Sequence, residues 1–369
     1  MIISTVGTIG NCAVVDETIL PANSDRHVGI IRVEKDFRPH FLSTFILSKY
    51  GRFQTIREST GNVQLNLFIY KIRTLKIPFL SSKFQQQVER LVQSAHLSLN
   101  QSKTIYQQAQ DLLLSELGLK DWQPTEETVA VKSFAESFLS SGRLDAEYYQ
   151  PKYDEIEQHI KKYSGGWDYL GNKFLVETGE YSEEYFEKSE NLKFYIRNTN
   201  IVKGQINIDD SYYVNPKIFS KFVQEGDILT ARVGAIGSFG TIEKELNGSI
   251  YSDNVLSLRR IQSECLLPDV YTLYFNTKPN RQLMDKFSGG SVQPLITQTS
   301  IKSLPIPIFN FQFQHQLHLK IIEGFELNKK SKQLLEIAKT GVERAIETDE
   351  ATATAWINQQ LEALEVKLT

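Results

Sequence analysis

Two kinds of hydrophobic pattern alternate along the chain. In "FYIRNTNIVKGQINI" (194–208) and "GDILTARVGAIGSFGTIE" (226–243) the apolar residues form short β-branched runs punctuated by glycine. Pro, Gly, Asn and Asp fill the connections, which predicts short strands joined by turns. From Phe84 to Leu117 there is no Pro or Gly, and the apolar positions repeat at alternating spacings of four and three: Val88, Val92, Ala95, Leu99, Ser102, Tyr106, Ala109 and Leu113. That spacing is a heptad seam along one helix. A second seam runs through Leu317, Ile321, Gly324, Asn328, Ser331, Leu335, Ala338 and Val342. Both seams are weakest at a serine, Ser102 and Ser331. Two matching, imperfect seams in one chain invite each other as partners, and helices of this length reach about 50 Å.

The β-rich stretches repeat as well. Val6-Gly7-Thr8-Ile9-Gly10 matches Val233-Gly234-Ala235-Ile236-Gly237, Ser24-Asp25 matches Ser252-Asp253, and Gly61-Asn62-Val63-Gln64 matches Gly290-Ser291-Val292-Gln293. "IRTLKIP" (72–78) matches "IKSLPIP" (301–307), and "FQQQ" (84–87) matches "FQHQ" (313–316). The matches keep their order at an offset of 227 to 229 residues, so the chain is read as two copies of one unit. The second copy starts near Arg143. Met1 aligns with Ile228, inside an expected strand, so residues 1–80 are expected to be the C-terminal part of a domain whose N-terminal part is missing.

Composition narrows the function classes. At 41% hydrophobic and 23% charged residues the chain has the make-up of a globular protein. It has no apolar run of roughly 18 residues for a membrane span, and its first residues lack the pattern of a signal peptide. Two cysteines, Cys12 and Cys265, make no disulfide framework, and a cytoplasmic location is expected. The net charge of −3 hides an uneven distribution: residues 1–120 carry 14 Lys and Arg against 9 Asp and Glu, and residues 121–190 carry 7 against 16. Local charge decides what a surface attracts, so an anionic partner stays open.

Motifs for chemistry are missing. There is no GxxxxGK[ST] loop, no GxGxxG, no GxSxG and no HExxH, so no catalytic or metal-binding residues are expected. Glu365-x-Lys367 imitates a nuclease motif but lies in the C-terminal helical tail, where it reads as a solvated helix face. The polar loops "STGNVQ" (59–64), "SGGSVQP" (288–294), "NSDRH" (23–27) and "YSDN" (251–254) carry side chains that suit phosphates and base edges, and equally suit ordinary turns.

With these stretches in order, the chain resembles the DNA-specificity subunits of type I restriction-modification systems. The residues that carry the resemblance are "GRLDAEYYQPKYDEI" (142–156), "YIRNTNIVKGQI" (195–206), "EGDILTARVGAIG" (225–237), "GGSVQPLITQTSIKSLPIP" (289–307) and "LLEIAKTGVERAIE" (334–347). The resemblance implies an α+β protein with two β-rich target-recognition domains, the first one partial. Each is followed by a long helix, and the helices pair as an antiparallel coiled coil. The expected segments are a partial recognition domain (1–80), a first long helix (81–118), a connector (119–142), a complete recognition domain (143–310), a second long helix (311–347) and a helical tail (348–369). In the tail Ala353, Ile357, Leu361, Leu364 and Leu368 make an apolar stripe, fit to pack on the helical pair or on a partner.

The resemblance also implies a non-catalytic subunit that binds double-stranded DNA at a bipartite target. It would recruit two methyltransferase subunits and, through them, endonuclease/translocase subunits. It would bind no cofactor itself, with S-adenosylmethionine, ATP and Mg²⁺ on the partners. Candidate DNA contacts are Arg232 and Asn254 first, then Arg197, Asn200, Lys203, Tyr251, Ser291 and Gln293, with Arg26, Asn62 and Gln64 in the first copy; Arg suits guanine, and Asn or Gln suits adenine. The rival readings are a coiled-coil scaffold that never touches DNA and a single-chain DNA-modifying enzyme. A first domain without its N-terminal part is expected to read its half-site poorly or to work only with another chain.

Overall fold

Short apolar stretches within the first thirty positions fold into a small antiparallel sheet. In the computed structural model, which describes residues 1–62, 64–209, 211–234, 236–261, 265–288 and 295–368, this sheet lies in the first of two compact units. Unit 1 comprises Met1–Thr104 with Glu323–Thr369, and unit 2 comprises Ile105–Ile322.

Unit 1 holds strands β1 (Ile2–Ser4), β2 (Cys12–Ala13) and β3 (Val28–Ile30) in the order β2-β1-β3. Helices α1 (Pro39–Leu47), α2 (Lys49–Glu58) and α3 (Ile69–Ile72) follow, and then α4 (Ser82–Glu116), which continues into unit 2. Pro39 opens α1, where its missing N–H has no helical partner to lose. Ile3, Phe41, Phe45, Val88 and Ala95 build the unit's core.

In unit 2 the connector is mostly irregular and carries α5 (Phe138–Ser141), after which come α6 (Pro151–Lys161), β4 (Trp167–Tyr169), α7 (Leu170–Lys173) and β5 (Phe174–Thr178). Next come β6 (Lys193–Ile196), β7 (Ile201–Val202), β8 (Gln205–Ile206), β9 (Tyr212–Val214), β10 (Ile228–Ala231), β11 (Phe239–Thr241) and β12 (Ile250–Tyr251). Then come β13 (Val255–Arg260), α8 (Pro268–Phe275), α9 (Lys278–Phe287), α10 (Gln298–Lys302) and β14 (Pro305–Pro307). The main sheet has the order β11-β10-β13-β5, and a second has the order β12-β6-β9. Helix α11 (Phe311–Glu347) starts in unit 2 and ends in unit 1, where α12 (Glu350–Ala363) follows it.

The repeat read from the sequence is a repeat of hydrogen bonds. Ile2 pairs with Ala13 and Ile30 as Leu229 pairs with Gly240 and Ser257. Thr5 N donates to His27 O (2.9 Å) as Arg232 N donates to Asn254 O (2.8 Å), and Leu67 N donates to Thr5 O (2.8 Å) as Ile296 N donates to Arg232 O (3.0 Å). The matched "FQQQ" and "FQHQ" have the same cause. Gln85 accepts from Arg38 N and donates to Asp36 O and Leu80 O, while Gln314 accepts from Leu267 N and donates to Cys265 O and Phe309 O. One register is corrected. Val28 N donates to Asp25 O and Val255 N to Ser252 O, so Asp25, and not Ser24, is the partner of Ser252. An aspartate carboxylate and a serine hydroxyl hold the same turn: Asp25 Oδ1 accepts from His27 N (3.1 Å), and Ser252 Oγ accepts from Asn254 N (3.0 Å).

Burial follows the two expected seams except at two positions. Val88, Val92, Ala95, Ala109, Leu113, Leu317, Ile321, Ala338 and Val342 are all buried. Leu335 is 39% exposed, and the neighbouring Leu334, fully buried, takes its place. Likewise Leu99 is half-buried while Ser98 is buried. In each helix the buried position shifts by one residue at a single point, and burial returns to the counted positions at Ser102, Ala109 and Leu113 and at Ala338 and Val342. The polar weak point has a purpose in unit 1, where Ser102 Oγ donates to Gly324 O at 2.6 Å. In unit 2, Lys320 Nζ reaches Gln108 Oε1 at 3.4 Å. The tail packs inside unit 1. Ala353, Ile357 and Leu361 join its core, and Gly341 has no side chain where Ile357 Cδ1 presses against α11. Among the described residues no helix is long and apolar enough to cross a membrane.

Candidate nucleic-acid interface

The twice-used Gly-x-Ile-Gly segment is the loop after β1 and after β10. Gly7, Gly10, Gly234 and Gly237 all have positive φ, between 75° and 81°. Such backbone suits glycine, which has no Cβ to clash. The two loops close alike: Ile9 N donates to Gly7 O (3.0 Å) and Ile236 N to Gly234 O (2.8 Å).

In unit 2 the loop meets other strand ends. β12 runs parallel to β6, and Ser252 N donates to Ile196 O at 2.9 Å. This sets Arg197 and Asn198, just past β6, beside Asp253 and Asn254, just before β13. β10 ends beside the same turn with Arg232, whose backbone N donates to Asn254 O. Three predicted residues, Arg197, Arg232 and Asn254, therefore come to one edge. Asn254 is exposed, and both arginines are half-buried. Arg232 sends Nη1 to Asp253 O at 3.4 Å, and its buried Nε has no hydrogen-bond partner among the described residues. The Arg197 guanidinium lies over the Tyr212 ring, 3.9 Å from its centre.

Aromatic residues extend this edge. Tyr185 packs edge-on against Tyr212, with ring centres 5.1 Å apart, and Tyr181 is exposed. Burial raises the Tyr185 hydroxyl pKa, with nearby Tyr181 and Asp253 adding to the effect and Arg197 opposing it. The loop that carries Tyr181 and Tyr185 also carries acids. Burial works against the charge of Glu180, but bonds from Lys221 N, Ser220 N and Ser220 Oγ hold its pKa below the usual value. Its carboxylate is thereby committed to the Ser220–Lys221 segment.

Two candidates are corrected by burial. Tyr251 is in the core with Ile196, Leu229 and Val255, and burial pushes its hydroxyl to about 12. A ring packed on all sides cannot reach a base. Asn200 is buried and its amide is committed: Oδ1 accepts from Arg197 N (2.8 Å), and Nδ2 donates to Asn207 O (2.9 Å). It shapes the turn that carries Arg197. Lys203 is exposed in the turn between β7 and β8. Ser291 and Gln293 lie outside the described residues.

In unit 1, Arg26 is exposed and donates from Nε to His27 Nε2 at 3.1 Å. Asn62 and Gln64 are exposed on a loop that meets the glycine loop through the Val6–Asn66 bridge. Thr5 stands where unit 2 has Arg232, and His27 stands where it has Asn254.

Sequence reasoning missed three residues. Asn198 donates from Nδ2 to Val233 O (3.1 Å) and ties the two loops together. It sits within the "RNTN" stretch already singled out, but the choice fell on its neighbour. Arg52 donates to Ile9 O at 2.7 Å, and Arg281 packs against Gly237. Both occupy the same place in α2 and α9, next to the glycine loop of their own unit. Their signal was an arginine repeated 229 residues apart in otherwise unlike helices.

No protein-family model and no curated protein matches the sequence. Solved structures similar to the chain include the HsdS subunit from Thermoanaerobacter tengcongensis, at 14% identity and a TM-score of 0.36, over 88% of this chain and 74% of that one. The S subunit of a type I restriction-modification system from M. genitalium is similar at 14% identity and a TM-score of 0.44, over 92% and 80%. A chain from a structure of type I restriction-modification complex assembly and conformational transition is similar at 14% identity and a TM-score of 0.33, over 85% and 74%. These scores lie below the level at which a common fold follows.

Proposed function

We propose that the chain is a non-catalytic, sequence-specific DNA-binding subunit of a type I restriction-modification complex. Unit 2 reads one half of a bipartite target and unit 1 the other. α4 and α11 pair antiparallel between the two readers and set their spacing. Methyltransferase subunits, and through them endonuclease/translocase subunits, dock on this scaffold and bring S-adenosylmethionine, ATP and Mg²⁺ with them. The observation that carries the reading is the edge where Arg197, Arg232, Asn198 and Asn254 converge beside exposed tyrosines, on a loop whose hydrogen bonds recur in the other unit. Guanidinium and amide groups at strand ends are the hydrogen-bonding forks that base edges accept.

The test is binding of the full chain to double-stranded DNA over a salt series. Phosphate contacts release counterions, so the logarithm of the affinity is expected to fall linearly with the logarithm of salt. Arg281→Ala is expected to flatten that slope by about one unit, as loss of one phosphate contact does. Absence of any salt-dependent binding favours the coiled-coil scaffold and removes this reading.

A further inference from the structure

Unit 1 exposes what unit 2 covers. In unit 2 one continuous stretch, Gly166–Gly179, bonds two strands. Gly166 O accepts from Ile308 N (2.9 Å), and Leu170 N donates to Leu304 O (2.8 Å). Between these bonds β4 pairs with β14, then β5 pairs with β13, and Gly179 N donates to Val255 O (3.2 Å). The counterparts of β13 and β14 in unit 1 are β3 and the Lys76–Pro78 stretch. Among the described residues no strand pairs with the outer edge of β3 or with Lys76–Pro78.

The side chains agree with the backbone. Ile30 is 58% exposed where its counterpart Ser257 is 3% exposed, and Ile77 is 39% exposed where Ile306 is fully buried. Ile69 and Phe79, close in the chain to Lys76–Pro78, are 64% and 76% exposed. Unit 2 thus uses a serine where a strand covers it, and unit 1 has an isoleucine there in the open. A free, apolar strand edge is a ready template for another strand. The Gln54 amide, which bonds Lys76 N and Lys76 O, occupies only the inner side of that stretch. By the repeat, Ile77 faces the side that β4 covers in unit 2.

We propose that this face of unit 1 is the docking surface for a polypeptide segment outside residues 1–369 with the strand–turn–strand pattern of Gly166–Gly179. Its first strand adds antiparallel to Lys76–Pro78 and its second to β3. The second strand points two apolar side chains inward, as Phe174 and Val176 point in unit 2. Main-chain bonds supply the affinity, and the apolar pockets supply the register. The proposal rests on the comparison of the two units and does not depend on DNA binding.

The probe is a recombinant polypeptide of residues 143–227 of this chain, presented to the 369-residue protein in two ways: free in solution, and fused directly before Met1. Amide hydrogen exchange is read by mass spectrometry at residues 27–33 and 74–80. With the probe, exchange at both stretches is expected to slow by about tenfold or more, as newly paired strand amides do. Ile30→Lys with Ile77→Lys, both at exposed positions, is expected to keep the melting temperature of the protein alone and abolish the protection. No protection in either arrangement overturns the proposal, as does protection that survives the double substitution. Protection that appears without probe as the protein is concentrated also overturns it, because a second copy is then the occupant.

Discussion

Thr5 and Arg232 occupy one place in two copies of the same loop. Their backbones make the same two bonds, one to the turn before the next strand and one from the segment after the second helix. Their side chains have nothing in common. The same division runs through the turn opposite, where an aspartate and a serine hold one geometry and present His27 in one unit and Asn254 in the other. The scaffold bonds are constant and the presented groups vary. On the proposed function that division is what reading two unlike half-sites with one fold would require, since the scaffold must be held while the readout changes. The comparison breaks at the outer edge of the sheet, where β5 covers β13 and no strand among the described residues covers β3.

The largest expected effect tests the helices that both units share. Leu334→Lys puts a charge in the core of unit 1. Losing a large apolar side chain costs roughly 2–5 kcal/mol, and an unpaired buried charge adds to it. Leu335→Lys, one residue on and exposed, is expected to stay within about 0.5 kcal/mol of the parent, as surface substitutions do. Denaturant midpoints of the two variants decide it. Equal losses mean that the seam runs where the heptad count put it and not where the burial lies.

That pair also shows where the sequence was legible. The heptad count found both helices because one apolar face persists over eight turns or more, and no strand pattern imitates that. It missed Leu334 because two adjacent leucines satisfy the count equally, and only the twist of a real helix chooses between them. The repeat was legible through residues that few substitutes can replace: glycines at positive φ, and a glutamine that bonds three backbone groups. Tyr251 was misplaced because an aromatic residue beside polar turn residues reads alike whether it faces the core or the solvent. Arg52 and Arg281 escaped because the helices around them share little else.

The next effect compares the two glutamines. Gln85→Ala and Gln314→Ala each leave one backbone N–H and two carbonyls without their partner. An unsatisfied buried group costs about 1–3 kcal/mol. Both variants are expected to destabilise, each within its own unit, and hydrogen exchange at residues 36–38 and 265–267 locates the loss. A loss in one variant alone would mean that the two bonds look alike but carry different loads.

The smallest effect is confined to recognition. Arg232→Ala removes a half-buried guanidinium whose backbone is held by Asn254 O and Ile296 N. The fold of the loop rests on those backbone bonds, so the melting temperature is expected to hold. Preference at particular base pairs is expected to relax by about 1–3 kcal/mol, the size of one bidentate contact. Asn254→Ala is expected to act the same way at a neighbouring base pair, since its side chain is exposed at the same edge. Thr5→Ala, at the equivalent place in unit 1, removes no guanidinium and is expected to leave specificity almost unchanged. The measurement is competition binding against a panel of single-base variants of a DNA target, with a methyltransferase subunit added as the proposed function requires. If Thr5→Ala relaxes specificity as much as Arg232→Ala does, the loop backbone and not the guanidinium is the reader, and the two units recognise DNA by the part they share and not by the part in which they differ.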